Sequence, residues 1–215
     1  MRMLKNVAAA LLLALALPLA VLAQKPKGND QLVTISTPQG EIKLLLFDDT
    51  PQHKANFLKL AKEGFYDGTT FHRVIDGFMI QGGDPNTKDD DPRNDGSGNP
   101  GYTVPAEIVP AHKHVRGAVA AARQGDHVNP TRASSGSQFY IVENHNGTPM
   151  LDDVYTVFGQ VVDGLDIVDK IAEQPTDGRD RPLSDIRMKV TVENMKKKKI
   201  AKKYNYNYNT QTLEK

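Results

Sequence analysis

Two short runs constrain this chain more than any other feature: residues 71–84, which read Phe-His-Arg-Val-Ile-Asp-Gly-Phe-Met-Ile-Gln-Gly-Gly-Asp, and residues 137–142, Ser-Gln-Phe-Tyr-Ile-Val. Both suit short strands, and the second is rich in β-favouring residues. If residues 78–82 are extended, side-chain period two puts Met79 and Gln81 on one face, and the paired glycines Gly82 and Gly83 mark a close backbone approach or a sharp exit. The same period sends Gln138 and Tyr140 to one face and Phe139 and Ile141 to the other. Arg73 therefore shares a small β surface with Phe78, Met79 and the amide of Gln81. A guanidinium stays protonated at any physiological pH and offers several fixed donors, so Arg73 can polarise a neutral group without a tuned pKa. Such a surface suits an uncharged, partly apolar peptide.

The rest of the chain fits one modest domain, expected over residues 31–194. Residues 32–36 and 41–46 read as hairpin strands, and short strands are expected again at 118–121, 139–142, 157–162 and 186–192. One amphipathic helix starts behind Thr50 as cap and Pro51 in its first turn and stops at Gly64; a second covers residues 165–173. Residues 84–113, rich in Asp, Pro and Gly, read as an excursion over the surface. Many short strands with two helices predict a mainly β fold, a closed barrel or sandwich whose open ends the helices plug.

At the N-terminus, Arg2 and Lys5 precede an almost wholly apolar run over residues 7–22, and Ala23 sits at the cleavage position before Gln24. Residues 1–23 thus read as a signal peptide, followed by a polar linker over 24–30. Export is expected, with the periplasm as destination and a secreted or secretory-lumen setting as the alternative. The apolar run is short for a bilayer span, so no stable membrane insertion is expected once the leader is cleaved. The chain has no cysteine, which excludes disulfides, thiol nucleophiles and thiolate metal sites. Net charge is +1, and about −1 once Arg2 and Lys5 leave, so no global field recruits nucleic acid. Charge is uneven, however: Asp84, Asp89, Asp90, Asp91 and Asp95 crowd one loop, and six lysines fall between Lys196 and Lys203.

Taken together, residues 71–84 and the Gly136 to Tyr140 run resemble the cyclophilin family of peptidyl-prolyl cis-trans isomerases, whose pattern is F-H-R-x-x-x-G-F-M-x-Q-G-G-D followed by G-S-Q-F-F. The likeness continues through residues 117–123, Leu151-Asp152 and Val157-Phe158-Gly159, and so spans nearly all of the mature chain. It implies a closed eight-stranded antiparallel β-barrel capped by two α-helices, with the active face on the outside. It further implies that Arg73 is the catalytic group, that Phe78, Met79, Tyr140 and Leu151 line a pocket for a proline ring, and that Gln81 braces Arg73 and contacts a substrate carbonyl. Ala122, Arg123 and Gln138 match a neighbouring groove for residues before the proline. Proline-containing polypeptides are the expected partners, no cofactor or metal is implied, and a monomer is expected.

The pattern departs from the best-known members at four places. Tyr140 replaces Phe and adds a hydroxyl that must find a partner or water; Met150 replaces Trp; Tyr155 replaces His; Arg123 replaces Asn. Met150 and Tyr155 stay among the expected substrate-binding residues. Loss of the indole N–H predicts weak binding of cyclosporin.

Other chemistry is weakly supported. His112 and His114 lack a third ligand at a metal-site spacing and read as loop histidines. Asp89 to Asp91 lack the alternation of a calcium loop and read as solvated. Asn146-Gly147 is turn chemistry before it is a glycosylation sequon. No hydrolase elbow or metalloprotease pair is present. The tail, residues 195–215, reads as a solvated, partly disordered end or an added edge strand; a basic helix over 195–203 that contacts an anionic lipid, a glycan or a client chain is the alternative. Two functions from different classes remain: an isomerase acting on exported proteins, and a proline-peptide binding module in which turnover is incidental.

Overall fold

The structure is a computed structural model that describes residues 26–214; the expected leader lies outside the described residues, as do the first two residues of the linker. In chain order the elements are β1 (Asn29–Thr37), β2 (Gly40–Leu46), α1 (Pro51–Lys62), β3 (Phe71–Ile75), β4 (Met79–Gly82), β5 (Thr103–Val104), β6 (Ala118–Ala121), β7 (Ser134–Ser135), β8 (Phe139–Val142), β9 (Val157–Asp163), α2 (Leu165–Ala172), β10 (Lys189–Lys196), α3 (Lys197–Tyr204), β11 (Tyr206–Asn207) and β12 (Thr212–Leu213). Single 3₁₀ turns at Pro85–Lys88 and Pro149–Leu151 punctuate the loops.

Eight strands form one antiparallel sheet in the order β10-β1-β2-β9-β6-β8-β4-β3. The barrel closes between its two end strands through an irregular ladder: Gly68 and Phe71 donate backbone N–H groups to Met188 and Ile186 (2.9 and 3.0 Å), and Met188 donates to Thr69 (2.8 Å). The expected strand over 186–192 is therefore split, its first residues closing the barrel and β10 running on to Lys196.

Period two sorts the side chains as anticipated. Phe139, Ile141, Ile80, Val119 and Ala121 point into the barrel, where α1 (Phe57, Leu58, Leu60, Ala61) and α2 (Val168, Ile171, Ala172) plug the same core. Tyr140, Val142, Met79, Ala118 and Ala120 form a second apolar cluster on the outside of the sheet. Gly82 and Gly83 show both uses of the glycine pair: a Cβ on Gly82 would stand 2.7 Å from Met188 Cε and 3.0 Å from Thr70 O, while Gly83 exits at φ +86°.

Helix α1 starts behind Thr50, but the Thr50 hydroxyl donates to Phe47 O (3.4 Å) and does not cap the helix. Glu107, from the long loop, takes that role and accepts the N–H groups of Gln52 and His53 at 3.0 and 2.9 Å. The acidic loop also divides: Asp84 is fully buried, accepting from Asn86 N and Gly98 N, Asp95 pairs with Arg181 at 2.8 Å, and Asp89 and Asp90 are exposed.

The tail is folded, in contrast to the expected solvated end, and the helix given as the alternative over 195–203 is present, shifted to Lys197–Tyr204. Strand β10 crosses the expected boundary at residue 194, and a third helix, α3, follows instead of the two-helix total. Ile200 and Tyr204, four residues apart on one face of α3, pack with Met195 and Tyr206 on Leu32, Leu45 and Val162, which face outward from the far side of the barrel. Lys197 turns back to Asp48 at 3.0 Å. Among the described residues no helix is long and apolar enough to cross a membrane.

Candidate active site

The outer cluster opens into a pocket of about 140 Å³ lined by Arg73, Phe78, Met79, Gln81, Ala122, Arg123, Tyr140, Leu151 and Tyr155. That is about ten times the ~10–15 Å³ that on the same measure admits one water, so it has room for a small ring. Strand register explains the assembly. Arg73 of β3 lies opposite Gln81 of β4, Gln81 opposite Tyr140 of β8, and Tyr140 opposite Ala120 of β6, so one row across four strands carries the cation, the amide and the aromatic wall. A groove of about 720 Å³ continues from the pocket, shares Gln81, Ala122 and Arg123 with it, and adds Gln138 and Tyr102.

Of the expected substrate-binding residues, Met150 is the one the structure places elsewhere. It is 71% exposed and absent from both linings, because the 3₁₀ turn Pro149–Leu151 points Leu151 inward and Met150 to solvent. Two further expectations are corrected in detail. Gln81 does not brace Arg73: its Nε2 donates to Gln138 Oε1 (3.0 Å), and Gln138 Nε2 donates in turn to Gly96 O and Gly98 O (3.0 and 2.7 Å). Arg73 instead reaches Asp180 Oδ2 at 3.4 Å with its side chain 43% exposed. Arg123 lines pocket and groove, but its charge is already engaged. Its side chain is 3% exposed, its Nη1 sits 2.6 Å from Asp126, its Nε donates to Val154 O, and its guanidinium lies 4.4 Å from the Tyr155 ring centre.

The Tyr140 hydroxyl finds its partner in His114, which reads from sequence as a loop histidine. His114 Nε2 lies 2.9 Å from Tyr140 Oη, and its Nδ1 lies 2.9 Å from Asp152 Oδ1, which also accepts the His114 backbone N–H at 2.8 Å. Burial pushes the Tyr140 phenol well up and His114 down. Burial also raises Asp152, but the backbone and ring N–H groups of His114 outweigh it and hold the carboxyl below its ordinary value. The need for a partner is legible in Tyr140; the partner, 26 residues away, is not.

Two other polar groupings do not form sites of this kind. His53 Nε2 is 2.9 Å from Ser134 Oγ and His53 Nδ1 is 2.7 Å from Glu107, an arrangement resembling a hydrolase triad. Ser134 is only 1% exposed and the cavity beside it is about 10 Å³, so no acyl carbon can reach the oxygen; the array ties α1 to β7 and the long loop. Glu143, His145 and Asp169 also converge, and there the Arg116 guanidinium already bonds Asp169 at 2.8 Å and His145 at 3.2 Å. His112 contacts Asp49 at 2.7 Å and stacks on Phe47, apart from His114 and its carboxylate.

An outward pocket with a guanidinium and a glutamine on adjacent strands of a closed antiparallel barrel is the arrangement the sequence resemblance implies, and the family comparison agrees. Residues 32–193 match the family described as cyclophilin type peptidyl-prolyl cis-trans isomerase/CLD. The chain belongs to the cyclophilin-type peptidyl-prolyl cis-trans isomerases. Among the relatives of this cyclophilin, a peptidyl-prolyl cis-trans isomerase of Arabidopsis thaliana is 39% identical over 168 residues, 74% of this chain and 94% of that protein. Peptidyl-prolyl cis-trans isomerase B of Bacillus subtilis is 47% identical over 117 residues, 54% of this chain and 71% of that one. A crystal structure of a Cryptosporidium parvum cyclophilin type isomerase superposes with a TM-score of 0.67 at 31% identity, covering 77% of this chain and 98% of that one. The same protein was also crystallised in the presence of the dipeptide Ala-Pro (TM-score 0.66, 32% identity, 75% and 98% covered).

Proposed function

We propose that this cyclophilin accelerates rotation about X-Pro bonds in exported polypeptides, with Arg73 stabilising the twisted imide. Resonance gives the imide C–N bond a rotation barrier of ~18–20 kcal/mol, and no covalent bond need break to cross it. In the twisted state the prolyl nitrogen loses conjugation and regains a lone pair, so a donor aimed at that atom is worth most at the top of the barrier. Shortening a relaxation of tens to hundreds of seconds to milliseconds takes about 6–7 kcal/mol of such differential stabilisation. A preorganised cation in a partly dry pocket supplies several of these, and the fit of the ring against Phe78, Met79, Leu151 and Tyr140 supplies orientation. The observation that carries this reading is Arg73 itself: it stands at the pocket on the same row as Gln81, with one exposed carboxylate partner. Gln81 keeps its carbonyl oxygen and Ala122 its place at the junction of pocket and groove, which suits a peptide running from one to the other.

NMR exchange on a short X-Pro peptide tests it. The folded chain should accelerate exchange, and Arg73→Ala should remove most of the acceleration while leaving peptide affinity nearly unchanged. Bound peptide with no acceleration by the wild-type chain would leave a binding module instead. Export rests on the leader pattern of residues 1–23 and is tested by finding Gln24 at the N-terminus of protein recovered outside the cytoplasm. A monomer and weak cyclosporin affinity complete the proposal, the latter because exposed Met150 offers no donor; solution mass and a cyclosporin titration check them.

A further inference from the structure

We propose that His114 and Asp152 are positioning residues for the proline pocket, acting through the Tyr140 hydroxyl. The proposal rests on the isomerase reading of the pocket and adds to it two residues that do not line it.

The argument begins at the carboxylate. Ionised Asp152 only accepts hydrogen bonds, so the His114 nitrogen 2.9 Å from it, Nδ1, carries the proton. In the neutral ring Nε2 is then left with its lone pair, and the one donor within reach is the Tyr140 O–H, 2.9 Å away. The hydroxyl proton is thereby committed to the side away from the substrate. Tyr140 presents the pocket with a ring face and no free donor, although it carries one polar atom more than a phenylalanine would. The imidazole is fully buried and the Tyr140 residue 5% exposed, so no water competes for the bond. Tyr155 locks the pair from the side, meeting the Tyr140 ring edge-on at 5.9 Å and the His114 ring at 6.5 Å. Arg123 then lies against the other part of Tyr155. One wall of the pocket is thus a continuous braced assembly from Asp152 to Arg123.

A merely structural histidine, bonded to the Tyr140 hydroxyl or not, would change stability and leave the peptide Kd of the folded protein unmoved. A positioning histidine would move it. Peptide Kd and the exchange rate of bound peptide are to be measured for wild type, His114→Leu, Tyr140→Phe and the double variant, with His114→Gln as the conservative rescue. His114→Leu should weaken peptide binding about tenfold with the bound exchange rate changed less than about twofold, and in the Tyr140→Phe background the same change should cost less than about twofold. His114→Gln, whose amide can accept from the phenol and donate to Asp152, should stay within about threefold of wild type. Equal losses in both backgrounds would overturn the proposal. So would ¹⁵N NMR of the unmodified protein placing the His114 proton on Nε2 at neutral pH, a measurement that needs no variant to fold. If the wild-type chain binds peptide without accelerating exchange, the isomerase reading fails while the Kd comparison still decides the role of His114; if it binds none, both fail.

Discussion

Arg73 and Arg123 border the same pocket, yet Arg73 keeps 43% of its side chain exposed and touches one carboxylate at 3.4 Å, while Arg123 keeps 3% and is engaged by Asp126, Val154 O, Gln124 O and the Tyr155 ring. The guanidinium of Arg123 is buried against Tyr155 and Val154 O even though its carboxylate partner Asp126 is half exposed, and Tyr140 and His114 beside it are buried; the guanidinium of Arg73 is held by one exposed ion pair. Each treatment suits a different task. A ring-shaped site needs a wall whose shape survives without substrate, which costs freedom in advance. On the proposed mechanism the Arg73 cation needs only a partner it can give up cheaply to substrate, and exposed ion pairs are worth only about 0–1 kcal/mol.

The contrast predicts different penalties for the two arginines. The largest effect belongs to Arg73→Ala, with a loss of bound exchange rate on the order of a hundredfold or more and an unchanged denaturation midpoint. Arg123→Ala should do the reverse, destabilising the fold by about 2–3 kcal/mol in urea titration and weakening peptide affinity, with a smaller effect on the bound rate. If both variants lose the same property, the division between the two sides is wrong.

A pH series sharpens it further. Burial holds His53, His72 and His114 each below the ordinary value of 6.5. The unfolded chain therefore binds protons first as pH falls: the stability from these neutral rings is fully present above about 6.5 and is lost progressively as pH drops from there through the folded values. Stability at pH 5.5 should fall below that at pH 7.5, whereas the bound exchange rate, which on the proposed mechanism depends on none of these rings, should hold as long as the fold does. The smallest effect is expected for Asp180→Asn: stability within about 1 kcal/mol and rate within about threefold, with whatever difference exists shrinking at high salt.

The elements that could be read from the chain are those whose information is local. Alternation put Met79 with Gln81 and Tyr140 with Gln138, opposite Phe139 and Ile141, and the structure turns the first set outward and the second into the barrel; the glycine pair at 82–83 announced its own geometry. The tail was less legible because its lysines and asparagines dominate its composition. The surface that receives it, Leu32, Leu45 and Val162, is apolar on the outward side of three strands and is seen only once those strands are placed side by side. Met150 shows a limit of carrying a role from position to position: a single 3₁₀ turn decides which of two adjacent apolar residues faces the pocket.

By itself the sequence determined which residue types the site would contain, the strands that would carry them and the family they belong to, since these depend on side-chain period and on a continuous run of residues. Only the tertiary structure decided who partners whom. Gln81 joined Gln138 instead of Arg73, Glu107 capped a helix at Gln52, 55 residues away, and His114 came to stand between Asp152 and Tyr140. Such pairings arise where barrel closure and loop packing bring distant groups together out of water. A buried polar group must then bond whatever acceptor or donor lies within about 3 Å, and spacing along the chain carries no record of that distance.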